Sequence, residues 1–266
     1  MPVIIPKDLP AKAILDKEYI FSMSEERART QDIRPLRLAL VNLMPTKIVT
    51  ETQFMRLLSN TPLQVDIDLI AMSTHESKNT SKAHLYRFYK TFEDIKHQKY
   101  DGMIITGAPV EMLDFSEVNY WEELESIMDF ANTNVYSTLF ICWASQAALY
   151  YYYGVEKYPL EEKMFGIFSH QLLRVRDITK GFDDEFFAPH SRHTENRPQD
   201  LAKLPQLKIL AQSDEAGVLL SATTDQRHYF ISGHMEYDAL TLKEEYERDL
   251  KKAQSGVSLP NAYFPH

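Results

Sequence analysis

One cysteine, Cys142, is all the thiol that this 266-residue sequence holds, so no intramolecular disulfide can form and a reducing, cytoplasmic compartment is expected. Glycine is scarce at 8 residues, and neither G-x-G-x-x-G nor G-x-x-x-x-G-K-[ST] occurs, which leaves glycine-loop nucleotide binding without support. Positive charge is in deficit: 29 Lys and Arg stand against 38 Asp and Glu, a net charge of -9, and no stretch is rich in Lys or Arg. Nucleic acid and anionic membrane surfaces are therefore poor partners. The opening MPVIIPKDLPAK lacks the basic-then-apolar layout of a secretory signal. Long uncharged runs are almost missing too. The exception, residues 134–155, is interrupted by Asn134, Ser137, Thr138, Ser145 and Gln146 and changes at Cys142 from β-rich to Ala/Leu-rich composition. It reads as a buried strand running into a helix, and no membrane span is expected. No metal is expected either, because His190 and His193 lie three apart with His170 elsewhere, and no HExxH, second cysteine or carboxylate cluster completes a ligand set.

What is present is a recurring strand-then-helix unit. Residues 36–44 (LRLALVNLM) form an apolar run followed by KIVTETQFMRLLSN (47–60), whose Ile48, Phe54, Leu57 and Leu58 suit a helix. Strand-like 63–70, helical 81–95, strand-like 103–107 and helical 116–131 with Ser116 as N-cap repeat the theme. A fourth strand, STLFICW, meets the helix ASQAALYYYYG closed by Gly154. This alternation predicts an α/β fold with a largely parallel central sheet flanked by helices. Beyond Gly154 the texture is more β-rich, with short strands at 166–175, 184–193, 207–213, 216–223 and 228–233, then a final helix over 237–253. Residues 1–34 show no sustained period and read as an arm, and residues 35–266 as one α/β domain.

In open parallel sheets, ligands sit outside the carboxyl ends of strands, so the strand-to-helix junctions carry the chemistry. At Phe140-Ile141-Cys142-Trp143-Ala144 the thiol falls at the start of a helix, where the dipole and free N–H groups favour thiolate. Free cysteines are also among the most buried residues, and most are inert, so position alone leaves both readings open. A nucleophile needs a base and a group that orients it. The junction after HYFISG offers His234 and Glu236, although a histidine and a glutamate near a helix start are also an ordinary N-terminal arrangement. The turn Thr106-Gly107-Ala108-Pro109-Val110-Glu111 is a third junction, where backbone amides could face a bound carbonyl, although an ordinary strand-ending Gly-Pro turn reads the same way.

The strings RPLRLALVNLMPTK (34–47), LLSNTPLQVDI (57–67), ICWASQAALYYYYGV (141–155), FDDEFFAPHSRHTE (182–195), GHMEYD (233–238) and NAYFP (261–265) closely resemble the homoserine O-acyltransferases of methionine biosynthesis, across essentially the whole chain. The resemblance implies a class I glutamine amidotransferase-like fold, a ping-pong mechanism through an acyl-cysteine and a homodimer. Carried over by motif, it implies Cys142 as nucleophile, His234 as general base and acid and Glu236 as its orienting carboxylate. It implies substrate contacts from Lys163 in EEKMFG, Ser191 in APHSRH and Arg248 in YERD, and an oxyanion hole from Lys47 in LMPTK with the Trp143 backbone amide. On a bare helix reading, Lys163, Ser191 and Arg248 are ordinary surface residues. L-Homoserine and acetyl-CoA are the implied substrates, the latter as co-substrate with no tightly bound cofactor.

Acyl-donor choice is expected to rest on Glu111. Succinyl-CoA carries a second carboxylate, and a fixed glutamate about 4 Å away repels it by about 4 kcal/mol at an effective dielectric near 20. In the resembling family an acidic residue after the TGAPV turn goes with acetyl transfer and glycine with succinyl transfer, so acetyl is favoured over the succinyl alternative. Two features depart from the family pattern: Met235 stands where proline is usual, and members usually continue past NAYFP into a further helix. Two rivals share the fold. A cysteine-dependent glutaminase or hydrolase is disfavoured because Phe140 and Ala144 replace the glycines of Gly-x-Cys-x-Gly, and a thiol sensor has no need of the His234-x-Glu236 pair.

Overall fold

Short apolar strands separated by helices build the first part of the chain in the computed structural model, which describes residues 3–75, 77, 79–252 and 257–264. The chain divides into two compact units, Met1–Pro109 with Phe115–Leu139, and Val110–Asp114 with Phe140–His266.

The first unit runs through β1 (Val3–Ile4), α1 (Pro10–Lys17), α2 (Glu25–Arg29), β2 (Leu36–Val41), α3 (Lys47–Leu58), β3 (Val65–Ile70), α4 (Lys82–Phe88), β4 (Tyr89–Lys90), α5 (Phe92–Ile95), β5 (Tyr100–Ile105) and α6 (Trp121–Asn134) into β6 (Val135–Ile141). Its strands lie in the order β1-β3-β2-β5-β6, and β1/β3, β2/β3 and β2/β5 pair in parallel. Ala39, Leu40 and Val41 of β2 are buried, as a strand covered on both faces requires. The outer edge of β3 is shielded twice: β1 pairs with Val65 and Asp66, and β4 with Leu69 and Ile70. The N-terminal residues thus supply an edge strand, and α1 packs on α3.

Two helices differ from their sequence reading. Residues 81–95 form not one helix but α4 and α5 with β4 between them. Ser81 caps α4, whereas Thr91 and Asp94 form a capping box that starts a new helix. The break is pinned because the Tyr89 hydroxyl donates to Glu51 at 2.6 Å and Lys90 Nζ to Asp68 at 2.6 Å. Ser116 caps nothing: it lies in a 3-10 turn, Phe115–Glu117, and the regular helix starts at Trp121, whose ring stacks on Phe115 at 5.1 Å.

The second unit contains α7 (Trp143–Tyr153), β7 (Tyr158–Leu172), β8 (Glu185–Glu195), α8 (Pro198–Ala202), β9 (Leu207–Ser213), β10 (Gly217–Thr223), β11 (His228–Ile231) and α9 (Thr241–Lys251). Its strands follow the order β11-β10-β9-β7-β8, and β10/β11, β10/β9, β7/β9 and β7/β8 are antiparallel. Ala188, Leu210, Ala211, Leu219, Leu220 and Ala222 form its buried apolar cluster. Residues Trp143 to Leu149 of α7 are all buried, and Gly154 ends the helix at φ +67 with its N–H on the Tyr150 carbonyl. Gly166 in β7 has φ +132, and a Cβ there would strike the Asn261 backbone, whose N–H bonds to the Phe165 carbonyl at 2.9 Å while its carbonyl accepts from Ile167 at 2.8 Å. Among the described residues no helix is long and apolar enough to cross a membrane. The fold is α/β, with a largely parallel central sheet flanked by helices.

Candidate active site

Strand β6 ends at Ile141, and the chain turns into α7 through Cys142, which takes φ +51 and ψ -117. That backbone region is costly for any side-chain-bearing residue and persists only where the surroundings enforce it. Here the enforcement is visible: the Cys142 N–H donates to the Ile231 carbonyl at 2.7 Å, and its own carbonyl accepts from Gln146 as α7 begins. The sharp strand-to-helix turn holds the sulfur, in a residue 7% exposed, at the N-terminus of a helix whose first residue is Trp143.

His234 reaches the same place from the end of β11. Its N–H donates to the Pro189 carbonyl at 2.8 Å, and the preceding Gly233 admits no side chain, because a Cβ would lie 2.8 Å from Leu219 and 2.9 Å from the Pro189 oxygen. The ring is buried, with Nδ1 2.7 Å from Glu236 Oε1 and a hydrogen bond to Cys142. Tyr237 stacks on the imidazole with ring centres 4.3 Å apart. Burial disfavours the imidazolium, but the negative charges and hydrogen bonds of Cys142 and Glu236 outweigh it and hold His234 well above its ordinary value. Met235 does not prevent this arrangement: it is half-exposed between the two functional side chains. The expected trio of Cys142, His234 and Glu236 is therefore one connected cluster.

Lys163, Ser191 and Arg248 also meet, through two carboxylates that the sequence reading missed. Ser191 Oγ donates to Glu245 at 2.5 Å, and Tyr237 donates to the other oxygen of Glu245 at 2.7 Å. Lys163 Nζ bonds Asp249 at 3.0 Å and lies 3.8 Å from Glu245, while Arg248 Nε donates to Asp249 at 3.0 Å. Burial works against the Asp249 charge, yet the Arg248 and Lys163 contacts prevail and its carboxyl sits below the usual range. Glu245 and Asp249 are four apart on α9, a spacing that was available as a signal but is equally that of a solvated helix face.

Two further expected residues, Lys47 and Glu111, have partners of their own. Lys47 belongs to the first unit, where its Nζ donates to the Asn42 carbonyl at 2.5 Å; burial pushes it down to about 8 against the pull of Glu51. Glu51 in turn receives Tyr89 and faces His84 Nε2 at 2.9 Å. Glu111 sits in the turn after β5, where Lys157 Nζ donates to its backbone carbonyl and, at 2.6 Å, to that of Leu113. Sequence reading also passed over Arg192 and weighed His190 only as a metal ligand; both are buried on β8 beside Ser191. Among the described residues no group of three or more His, Cys, Asp or Glu is arranged to hold a metal ion.

Comparison with known proteins decides the kinship. Residues 2–266 match the family model described as homoserine O-succinyltransferase. The chain belongs to this family. Within the homoserine O-acyltransferases, it is 58% identical to a homoserine O-acetyltransferase of Acetivibrio thermocellus, over 100% of this chain and 87% of that protein. It is 57% identical to one of Geobacillus kaustophilus over 100% and 88%, and 56% identical to one of Brevibacillus brevis over 100% and 87%. Solved structures resemble the fold at much lower identity. A glutamine amidotransferase from Thermotoga maritima superposes with TM-score 0.55 at 12% identity, covering 85% of this chain and 88% of that one. A glutamine amidotransferase from Methylobacillus flagellatus gives 0.53 at 12%, covering 87% and 82%. This homoserine acyltransferase family member therefore has the class I glutamine amidotransferase-like fold.

Proposed function

We propose that this chain is a homoserine O-acetyltransferase that passes an acetyl group from acetyl-CoA to the γ-hydroxyl of L-homoserine by way of an acyl-Cys142 thioester. The observation that carries the mechanism is the Cys142 turn facing a buried His234 whose Nδ1 is fixed on Glu236 at 2.7 Å. With Nδ1 committed to Glu236, Nε2 serves the sulfur, and a raised imidazole affinity for protons favours the thiolate–imidazolium pair. The thiolate attacks the thioester carbonyl; the Trp143 amide at the helix start is assigned to the oxyanion, and the LMPTK motif assigns Lys47 as a second donor. Collapse expels the coenzyme A thiol with the proton from His234. In the second half-reaction His234 takes the γ-hydroxyl proton of homoserine, the oxygen attacks the acyl carbon, and Cys142 leaves as thiolate.

The amino acid end is read from the second cluster. Arg248 offers a guanidinium to the substrate carboxylate, while Glu245 and Asp249, with Ser191 and Lys163 bonded to them, offer negative charge to its ammonium. Glu111 is assigned to donor choice, and the names of the most similar relatives support acetyl. The family resemblance supports a homodimer.

Intact mass spectrometry after brief incubation with acetyl-CoA or succinyl-CoA, without homoserine, tests the reading. An acetyl adduct that requires Cys142 and disappears on adding homoserine is expected. A succinyl adduct overturns the donor, and no adduct from either donor overturns the acyl-cysteine route.

A further inference from the structure

The inner face of β8 carries a charge that the reading above leaves unused. Ala188, His190, Arg192 and Thr194 alternate along this strand as buried residues. Arg192 is 2% exposed, and each hydrogen bond of its guanidinium ends on an uncharged acceptor: Nη1 on the Thr194 carbonyl at 2.8 Å, Nη2 on the Ala216 carbonyl at 2.6 Å and Nε on His190 Nδ1 at 3.4 Å. A buried guanidinium without a bonded carboxylate is costly to keep, which makes it a candidate functional position.

The histidines beside it are locked in one tautomer each. His190 accepts from Arg192 at Nδ1, so its proton is on Nε2 and points at His170 Nε2, 3.1 Å away. His170 then carries its proton on Nδ1 and donates to the Phe168 carbonyl at 2.9 Å. Burial, reinforced by the Arg192 charge, keeps both imidazoles neutral. The brace is therefore a directional chain with no free charge of its own.

This face of β8 is wedged between the two halves of the cysteine site. Thr194 Oγ1 donates to Gln146 at 2.8 Å, in the first turn of α7 after Cys142, and Arg192 lines a small pocket together with Ser145 and Glu195. On the other side Pro189 binds the His234 N–H, and His190 Nε2 lies 3.3 Å from where a Gly233 Cβ would stand. The negative groups within electrostatic reach of Arg192 are Cys142 and Glu195. We propose that Arg192 is a positioning residue for acyl transfer: a buried counter-charge to the Cys142 thiolate, braced by His190 and His170, that keeps the sulfur ionised while His234 exchanges its proton. The groups facing the sulfur are then His234 and, behind it, Glu236 and Tyr237 from the segment after β11, and Arg192 from β8. The inference rests on Cys142 being the nucleophile.

The test is the pH dependence of Cys142 alkylation by iodoacetamide, followed by intact mass, in the wild-type protein, Arg192→Gln and Arg192→Lys, with folding checked by circular dichroism. Glutamine keeps donors for the Thr194 and Ala216 carbonyls and removes the charge. Arg192→Gln is expected to raise the alkylation midpoint by about one unit above that of wild type, while Arg192→Lys stays near wild type. A folded Arg192→Gln with an unmoved midpoint and only a lower Tm makes the residue a brace and overturns the proposal. Should that variant not fold, a folded Arg192→Lys displaced as far as a neutral residue would be overturns it. Wild-type protein that forms no acetyl adduct on Cys142 instead refutes the nucleophile; an adduct with an unmoved Arg192→Gln midpoint refutes Arg192 alone.

Discussion

In the first unit the strand pairs β1/β3, β2/β3, β2/β5 and β3/β4 run parallel, and the carboxylates have bonded partners: Glu51 has the Tyr89 hydroxyl and His84 Nε2, and Asp68 has Lys90 and Arg37. In the second unit the strand pairs of β7 to β11 run antiparallel, and the buried Arg192 ends on carbonyl oxygens and a neutral imidazole. The first arrangement pairs its carboxylates, with Lys47 as the exception, a buried ammonium that ends on the Asn42 carbonyl. The second sets a buried guanidinium that bonds no carboxylate, a strained cysteine and a raised histidine within one region, with Glu195 and Glu236 as negative charges nearby. The paired carboxylates read as structural support, and the cations bonded to no opposite partner, Lys47 and Arg192, as candidates for chemistry.

The largest expected effect breaks the second unit's chemistry without harming its fold. Cys142→Gly should abolish acyl transfer, by at least about four orders of magnitude in kcat/KM, while leaving Tm level or raised, since glycine relieves the φ +51 turn. Steady-state rates with calorimetry check this, and a Tm several degrees lower would sink the strain argument. Glu236→Gln should cost about 10⁴ in kcat by freeing the wrong imidazole tautomer. The same variant has a pH signature. Because the folded His234 value is raised, the stability it contributes is fully present below its unfolded value of about 6.5 and fades as pH rises through the folded value. Tm followed upward from pH 6 should therefore fall more steeply in wild type than in Glu236→Gln, and parallel curves would contradict the assigned cause.

The first unit should answer differently. Glu51→Ala strands Tyr89 and His84 in the interior and should cost about 3 kcal/mol in urea unfolding, where a loss under 1 kcal/mol would show that water readily substitutes. Gly166→Ala sits between these cases: it should cost about 2 kcal/mol by displacing the Asn261 backbone, seen as faster hydrogen exchange at Ile167. The smallest effect sharpens specificity only. Glu111→Gly should raise succinyl-CoA use by about tenfold, less than the full Coulomb figure because this side chain is partly open to solvent; an unaltered donor ratio would remove Glu111 from that role.

The parallel unit was the more legible of the two in sequence. An apolar run as short as LRLALV reads as a covered strand by its length and its flanks, and local periodicity gives the helix that follows it. Where the reading of that unit missed, at 81–95 and at Ser116, tertiary contacts of Tyr89, Lys90 and Phe115 overrode a continuous helical pattern. In the antiparallel unit the strand 207–213 was readable residue by residue, and Gly154 marked its helix end. Strand-to-helix junctions made Cys142, His234 and Glu236 candidates beside an ordinary structural reading, and the family resemblance gave them their roles. Glu245, Asp249 and Arg192 were not, since each gains meaning only through strand register and helix docking that join residues 142, 163, 191 and 249.

The seam at Gly166 sets a timetable for the newborn chain. Strand β7 carries Lys163, and its neighbour at Asn261 is made 94 residues after Ile167. At ordinary translation rates that interval lasts roughly five to twenty seconds. Once β8 has been made, the backbone of Phe165 and Ile167 has a strand partner on one side and still lacks Asn261 on the other. The strand that carries Lys163 is thus among the last places to be finished during synthesis, and a ribosome that stalls in α9 would display a folded parallel unit with an unclosed strand behind it.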